Sequence, residues 1–321
     1  MRQPTQLAIF LAFAALYLIW GSTYLFIRLA IDSIPPFLMA GSRYVSAGVL
    51  MYVMARAQGA PRPGLVTWRS SLVIGGFLLL GGNGGVTISE QYIDTGLAAV
   101  IVATVPIYIA LLSWATGMTL RPSWPVLLGL AGGFLGIGIL MAPSMHFSNI
   151  ESKHSGIGIL ILLVASFLWS VGSLYSRAAK NSPSPFLAAA QQMICGGALL
   201  LLAGLITREK FQPQALIAHS IWAWIYLVLI GAIIGFGAYI YLLRHCDPTK
   251  VATYAYVNPI VAVILGTLFA GERLTSRTMV AAALIIGSVA IVITTQQLKP
   301  KSIAPVSGRS PNRISASDSG L

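Results

Sequence analysis

Long apolar runs broken by short polar connections fill the chain from Leu7 to Thr295. A bilayer-spanning helix needs about 20 mostly apolar residues. That ruler divides the chain into ten segments, at 7–28, 36–57, 71–92, 95–116, 122–142, 155–178, 184–206, 220–243, 249–270 and 276–295. The pattern predicts an all-α membrane protein with ten transmembrane helices. The first run is too long for the roughly 7–15-residue core of a signal peptide, so it is expected to remain as the first span. The connections are short, which leaves no room for a separate catalytic or nucleotide-binding unit. From residue 296 the chain turns polar, with Pro300, Pro305 and Pro311, and a disordered cytoplasmic tail is predicted over 296–321.

The apolar pattern hides a duplication. The stretch LIWGSTYLFIRLAIDSIPPFL from Leu18 returns as FLWSVGSLYSRAAKNSPSPFL from Phe167, and Trp20, Arg28, Pro36 and Phe37 recur 149 positions later as Trp169, Arg177, Pro185 and Phe186. Further on, Asp94, Ala99 and Pro106 align with Asp247, Ala252 and Pro259 at an offset of 153. Residues 7–142 and 155–295 therefore form two repeats of five spans each. Five is odd, so the second repeat enters the membrane from the opposite face and the repeats are inverted, with a site expected between them.

Composition adds topology. The chain is 56% hydrophobic and only 9% charged, against about 25% charged in a soluble domain. Its net charge of +12 comes from Lys and Arg scattered through loops and tail, without the basic and aromatic stripe that nucleic acid would require. With a cytoplasmic N-terminus, thirteen of the 20 basic residues fall on the cytoplasmic side, so both termini are placed inside. Cys195 and Cys246 are expected as free thiols. The four histidines lack ligand spacing and no GxxxxGK[ST], HExxH or GxSxG motif is present, so no metal, cofactor, ATP site or hydrolase is expected.

Few polar groups remain to carry chemistry. Trp20, Tyr24 and Arg28 are spaced i, i+4, i+8 and share one helix face, read as Trp169, Ser173 and Arg177 in the second copy. Trp20 and Trp169 lie too deep for an interfacial belt, whereas Arg28 and Arg177 fit arginines snorkelling at helix ends. Arg43 lies within a span and needs a partner. Glu90 matches it in depth and shares a face with Asn83 and Thr87, so an Arg43–Glu90 contact is predicted, with Glu90 either a proton carrier or half of a static pair. Pro106 and Pro259 fall near mid-span at matching positions, and two kinks are predicted there, each freeing a carbonyl oxygen four residues earlier. Tyr254 and Asn258 crowd the second kink. Gly129, Gly133 and Gly136, with Ala283 and Gly287, read as packing ridges.

The motifs LIWGSTYLFIR, PPFLMAGSR, GNGGVTISEQY, GLAAVIVATVPIY, TYAYVNPIVAV and GERLT, spread over about residues 7–295, resemble the EamA type of the drug/metabolite transporter superfamily. The resemblance implies ten helices in two inverted five-helix repeats in a bacterial inner membrane. It implies a central cavity faced by Trp20, Tyr24, Asn83, Glu90, Trp169, Tyr254 and Asn258, to which Thr87 is added as a substrate-site candidate from its shared face with Asn83, and secondary transport of small metabolites, often outward. The acid of GERLT, Glu272, is Met118 in the first copy. The expected function is thus export of a small organic solute, an amino acid or related compound or a drug, by alternating access with proton antiport or solute exchange. The rival is an integral membrane enzyme acting on a lipid-borne substrate, disfavoured because the loops are nearly free of carboxylates.

Overall fold

The computed structural model describes residues 5–117, 123–141, 150–246, 248–251, 254–269 and 275–295. The predicted tail from 296, and Met118 and Glu272, lie outside them. The described residues form ten principal apolar helices: α1 (Gln6–Ile31), α2 (Pro36–Ala57), α3 (Leu65–Ser89), α4 (Thr95–Ala115), α5 (Trp124–Met141), α6 (Ile150–Ala178), α7 (Pro185–Ile206), α8 (Ala218–His245), α9 (Tyr254–Phe269) and α10 (Ser276–Thr295); seven of them, all but α5, α9 and α10, are long and apolar enough to cross a membrane, and those three hold shorter apolar stretches. The large apolar side chains left exposed, such as Leu7, Phe10, Leu18, Leu128 and Leu268, form the surface that lipid covers.

Two helix pairs establish the inversion directly. Across α2 and α7, Gly41 meets Leu201, Gly48 meets Ile194, and Gly197 meets Val45, so the second helix of one repeat runs antiparallel to the second helix of the other. The fifth helices do the same, with Gly132 against Ser288 and Gly136 against Ile285. Small residues let these backbones approach closely. The predicted small-residue ridge is corrected in one place: Gly287 faces open space, and its neighbour Ser288 packs on α5 instead.

The recurring Pro-Phe-Leu has a local cause. Pro36 and Pro185 each open a helix, where a missing N–H costs nothing and the fixed φ helps. In the second repeat Ser184 caps α7, its hydroxyl accepting from the Leu187 amide at 3.4 Å. Its counterpart in the first repeat is Pro35, which cannot cap. Glu209, from the α7–α8 connection of the other repeat, supplies the cap instead, its carboxylate accepting from the Phe37 and Leu38 amides at 3.0 and 2.9 Å. Glu209→Ala is expected to lower stability by about 1–2 kcal/mol, read as a lower melting temperature in detergent. An unchanged midpoint overturns the assignment.

Arg28 and Arg177 recur for a related reason. The Arg28 guanidinium donates to the carbonyl of Glu90 at 2.5 Å, and Arg177 donates to that of Cys246 at 3.4 Å. Each arginine from the first helix of a repeat thus satisfies a carbonyl just past the end of that repeat's third helix, where orphan acceptors and the negative end of the helix dipole favour a cation.

The third helices depart from the predicted spans. α3 starts at Leu65 and ends at Ser89, so Glu90 sits just past its end instead of within it. Its middle, Gly76–Asn83, is π-helical, and so is Leu227–Phe236 in α8. The two π segments end at aligned positions, Asn83 and Phe236. Such segments are rare and cluster at functional sites.

The two prolines sit differently in the fourth helices of the repeats. α4 is interrupted at Ala103–Thr104, and Pro106 lies in the first turn of the part that follows, whereas Pro259 lies inside the described length of α9. The Thr104 hydroxyl donates to the Ile101 carbonyl at 2.7 Å and stabilises the interruption.

Candidate functional site

The first, third, fourth, sixth, eighth and ninth helices, with α2, converge on a cavity between the repeats. Trp20 and Tyr24 enter from α1, Arg43 and Tyr44 from α2, Asn83 from α3, Ser166 and Trp169 from α6, and Tyr254 and Asn258 from α9. Six of the seven substrate-site residues expected from the sequence line it. Thr87 does not: it is buried, and its hydroxyl donates to the Asn83 carbonyl at 3.0 Å.

The two tryptophans hold the centre. Their rings meet edge to face at 5.4 Å, and Tyr239 and Tyr254 pack on Trp20 at 4.9 and 5.3 Å. Each tryptophan also crosses to the other repeat. A Cβ on Gly235 would lie 2.5 Å from the Trp20 indole nitrogen, and one on Gly82 would lie 2.6 Å from the Trp169 ring. Gly82 and Gly235 are aligned positions of the two π segments, so the two contacts are pseudo-symmetric images of each other. The Trp169 indole donates to the Tyr239 hydroxyl at 3.0 Å, and that hydroxyl also bonds Ser173 at 2.6 Å.

The polar groups are asymmetric. Arg43 is only 3% exposed. It donates to Asn83 Oδ1 at 2.5 Å and to the Tyr44 hydroxyl at 2.8 Å, and its guanidinium carbon stands 4.5 Å from the Tyr44 ring centroid. These neutral partners replace the predicted contact with Glu90. The reason is geometric: Asn83, at the end of the π segment, comes within reach, while Glu90 is carried past the end of α3. Glu90 is buried but does not line the cavity. Opposite, the Asn258 amide is oriented so that its nitrogen donates to the Tyr17 and Tyr254 carbonyls at 3.1 and 3.2 Å, and the side chain reaches the Tyr24 hydroxyl.

The sequence reading missed Tyr44, Ser166, Gly82 and Gly235. Tyr44 could have been found from its place beside a buried arginine. The glycines were visible only as the aligned GNG and GFG tracts at 82–84 and 235–237, which hydropathy does not separate from packing glycines.

The cavity measures about 60 Å³. At about 10–15 Å³ per water that is room for roughly four to six waters, and small-molecule sites occupy about 300–1,000 Å³. This conformation is therefore contracted relative to a small-molecule site.

Two inverted bundles around a buried, partly polar cavity at their common interface are the architecture of a membrane transporter. Comparison with known sequences gives the family: the profile of the EamA-like transporter family matches residues 6–142 and 156–294, and the chain belongs to that family. It is 37% identical to the inner membrane transporter YedA of Escherichia coli K12 over 95% of this chain and 98% of that one. It is 26% identical to the transporter YvbV of Bacillus subtilis over 90% and 92% of the two chains. A solved crystal structure shares the fold at a TM-score of 0.63 and 19% identity, covering 90% of this chain and 98% of its own.

Proposed function

We propose that the chain exports a small organic metabolite carrying a carboxylate across the bacterial inner membrane, by alternating access of its two repeats, with both termini in the cytoplasm. The observation that carries this reading is Arg43, a guanidinium 3% exposed whose partners are both neutral, lining a cavity walled by tryptophan and tyrosine. A buried charge with neutral partners is costly, and a carboxylate ligand offsets that cost with charge-assisted bonds. The aromatic walls suit an apolar or flat body on the same ligand. Alternating access supplies the volume that the contracted cavity lacks, and the outward direction follows the family resemblance.

Glu90 is the proposed proton carrier, since it is a buried carboxyl close to Tyr24 at the cavity wall. A screen of metabolites released by cells expressing the chain identifies the solute, and the same assay with Glu90→Gln tests coupling. The expected result is loss of the dependence of export on external pH. Export with an unaltered pH dependence assigns transport to solute exchange and removes the proton role from Glu90.

A further inference from the structure

A second cavity lies away from the central one and shares no lining residue with it. It opens between α2, α7 and α8 beneath the α7–α8 connection, measures about 510 Å³, and is walled by Leu38, Leu201, Phe211, Leu216, Ile221 and Trp224. Ser42 is the polar side chain in its lining, and its hydroxyl accepts from the Trp224 indole at 3.0 Å, so the wall is effectively apolar. Its volume is in the range of small-molecule sites.

The connection above it is basic. Arg208 and Lys210 are exposed, and among the described residues neither side chain makes a hydrogen bond or ion pair. Glu209 between them is spent on the α2 amides. Asp32, on the same face of the molecule, is held by His219 at 3.0 Å. Arg208 stands at φ +58°, a strained backbone for a non-glycine residue. Surrounding Leu205, Ile206 and Trp222 are about 70% exposed, as expected of side chains in contact with lipid.

An apolar slot at the rim of a bilayer, topped by two unspent cations, matches an amphiphile with a hydrocarbon tail and a phosphate head. We propose that this groove binds one anionic phospholipid, with an acyl chain among Leu38, Leu201 and Ile221 and its phosphate on Arg208 and Lys210.

The test is native mass spectrometry of the purified full chain titrated with phosphatidylglycerol or with phosphatidylcholine. One phosphatidylglycerol per chain is expected to bind at least about tenfold more tightly than phosphatidylcholine. The double variant Arg208→Gln, Lys210→Gln is expected to lose about 10- to 30-fold in that affinity. Leu216→Trp, which fills the groove, is expected to abolish retention of both lipids. Ile34 also lines the groove, and Ile34→Trp gives the same readout should Leu216→Trp fail to fold. Equal affinity for the two lipids, a double variant that keeps the preference, or undiminished binding to a folded groove-filled variant overturns the proposal.

Discussion

Arg43→Gln is expected to weaken transport of the cognate solute by about 30-fold or more. Removing one partner of a buried charge pair costs about 2–5 kcal/mol, and each 1.4 kcal/mol is about tenfold. The loss appears as a raised KM or Kd, since the variant keeps a hydrogen-bonding side chain beside Asn83 and Tyr44. Arg43→Lys separates charge from geometry. It keeps the cation but cannot donate in the same plane to Asn83, Tyr44 and a ligand, so a loss of about tenfold is expected between wild type and Gln. Equal transport by all three proteins, each with an unchanged melting temperature, removes the carboxylate from the proposed substrate.

The second large effect is on the fold. A Cβ on Gly48 would come within 2.8 Å of the Ile194 backbone nitrogen, and a Cβ on Gly197 within 2.8 Å of that of Val45. Both close approaches are to main chain, which cannot rotate aside. Gly48→Ala and Gly197→Ala are each expected to cost about 1–3 kcal/mol by overpacking, and valine at either position more. Pseudo-symmetry makes the two losses similar. Gly287→Ala is the internal control: nothing lies within 4 Å of the added methyl, so the helix preference for alanine, about 1 kcal/mol, makes it neutral or stabilising. Melting of the purified variants reads all of these. A Gly48→Ala protein as stable as Gly287→Ala would mean that the α2–α7 contact does not hold the repeats together.

The architecture was legible because it rests on one-dimensional signals. Ten apolar runs and a repeat of odd span number fix helices and inversion without any contact being known. Most of the cavity wall was legible too, because Trp20 and Tyr24 share a face by helical spacing and Trp169 is carried over by alignment. What the residues did not disclose depends on contacts between repeats. Arg43 was assigned to Glu90 by depth along ideal α-helices, yet α3 contains a π segment and ends at Ser89, and Asn83 became the partner. Hydropathy cannot see a π turn, because the same side chains satisfy either helix. Likewise Arg28 looked like a solitary interfacial cation, since its acceptor is a backbone carbonyl 62 residues away.

The paired π segments place helix register next to the cavity wall, at Gly82 and Asn83 in one repeat and Gly231 in the other. A π turn stores one residue beyond the α-helical count, and squeezing it out turns everything beyond by about 100° and shifts it by about 1.5 Å. In α3 that rotation would swing Asn83 off Arg43 and slide Gly82 from beneath Trp169. In α8 the same step would unseat Trp20 from Gly235. Spectroscopic distances across Gly76–Asn83 and Leu227–Phe236 are where such a register step would be read.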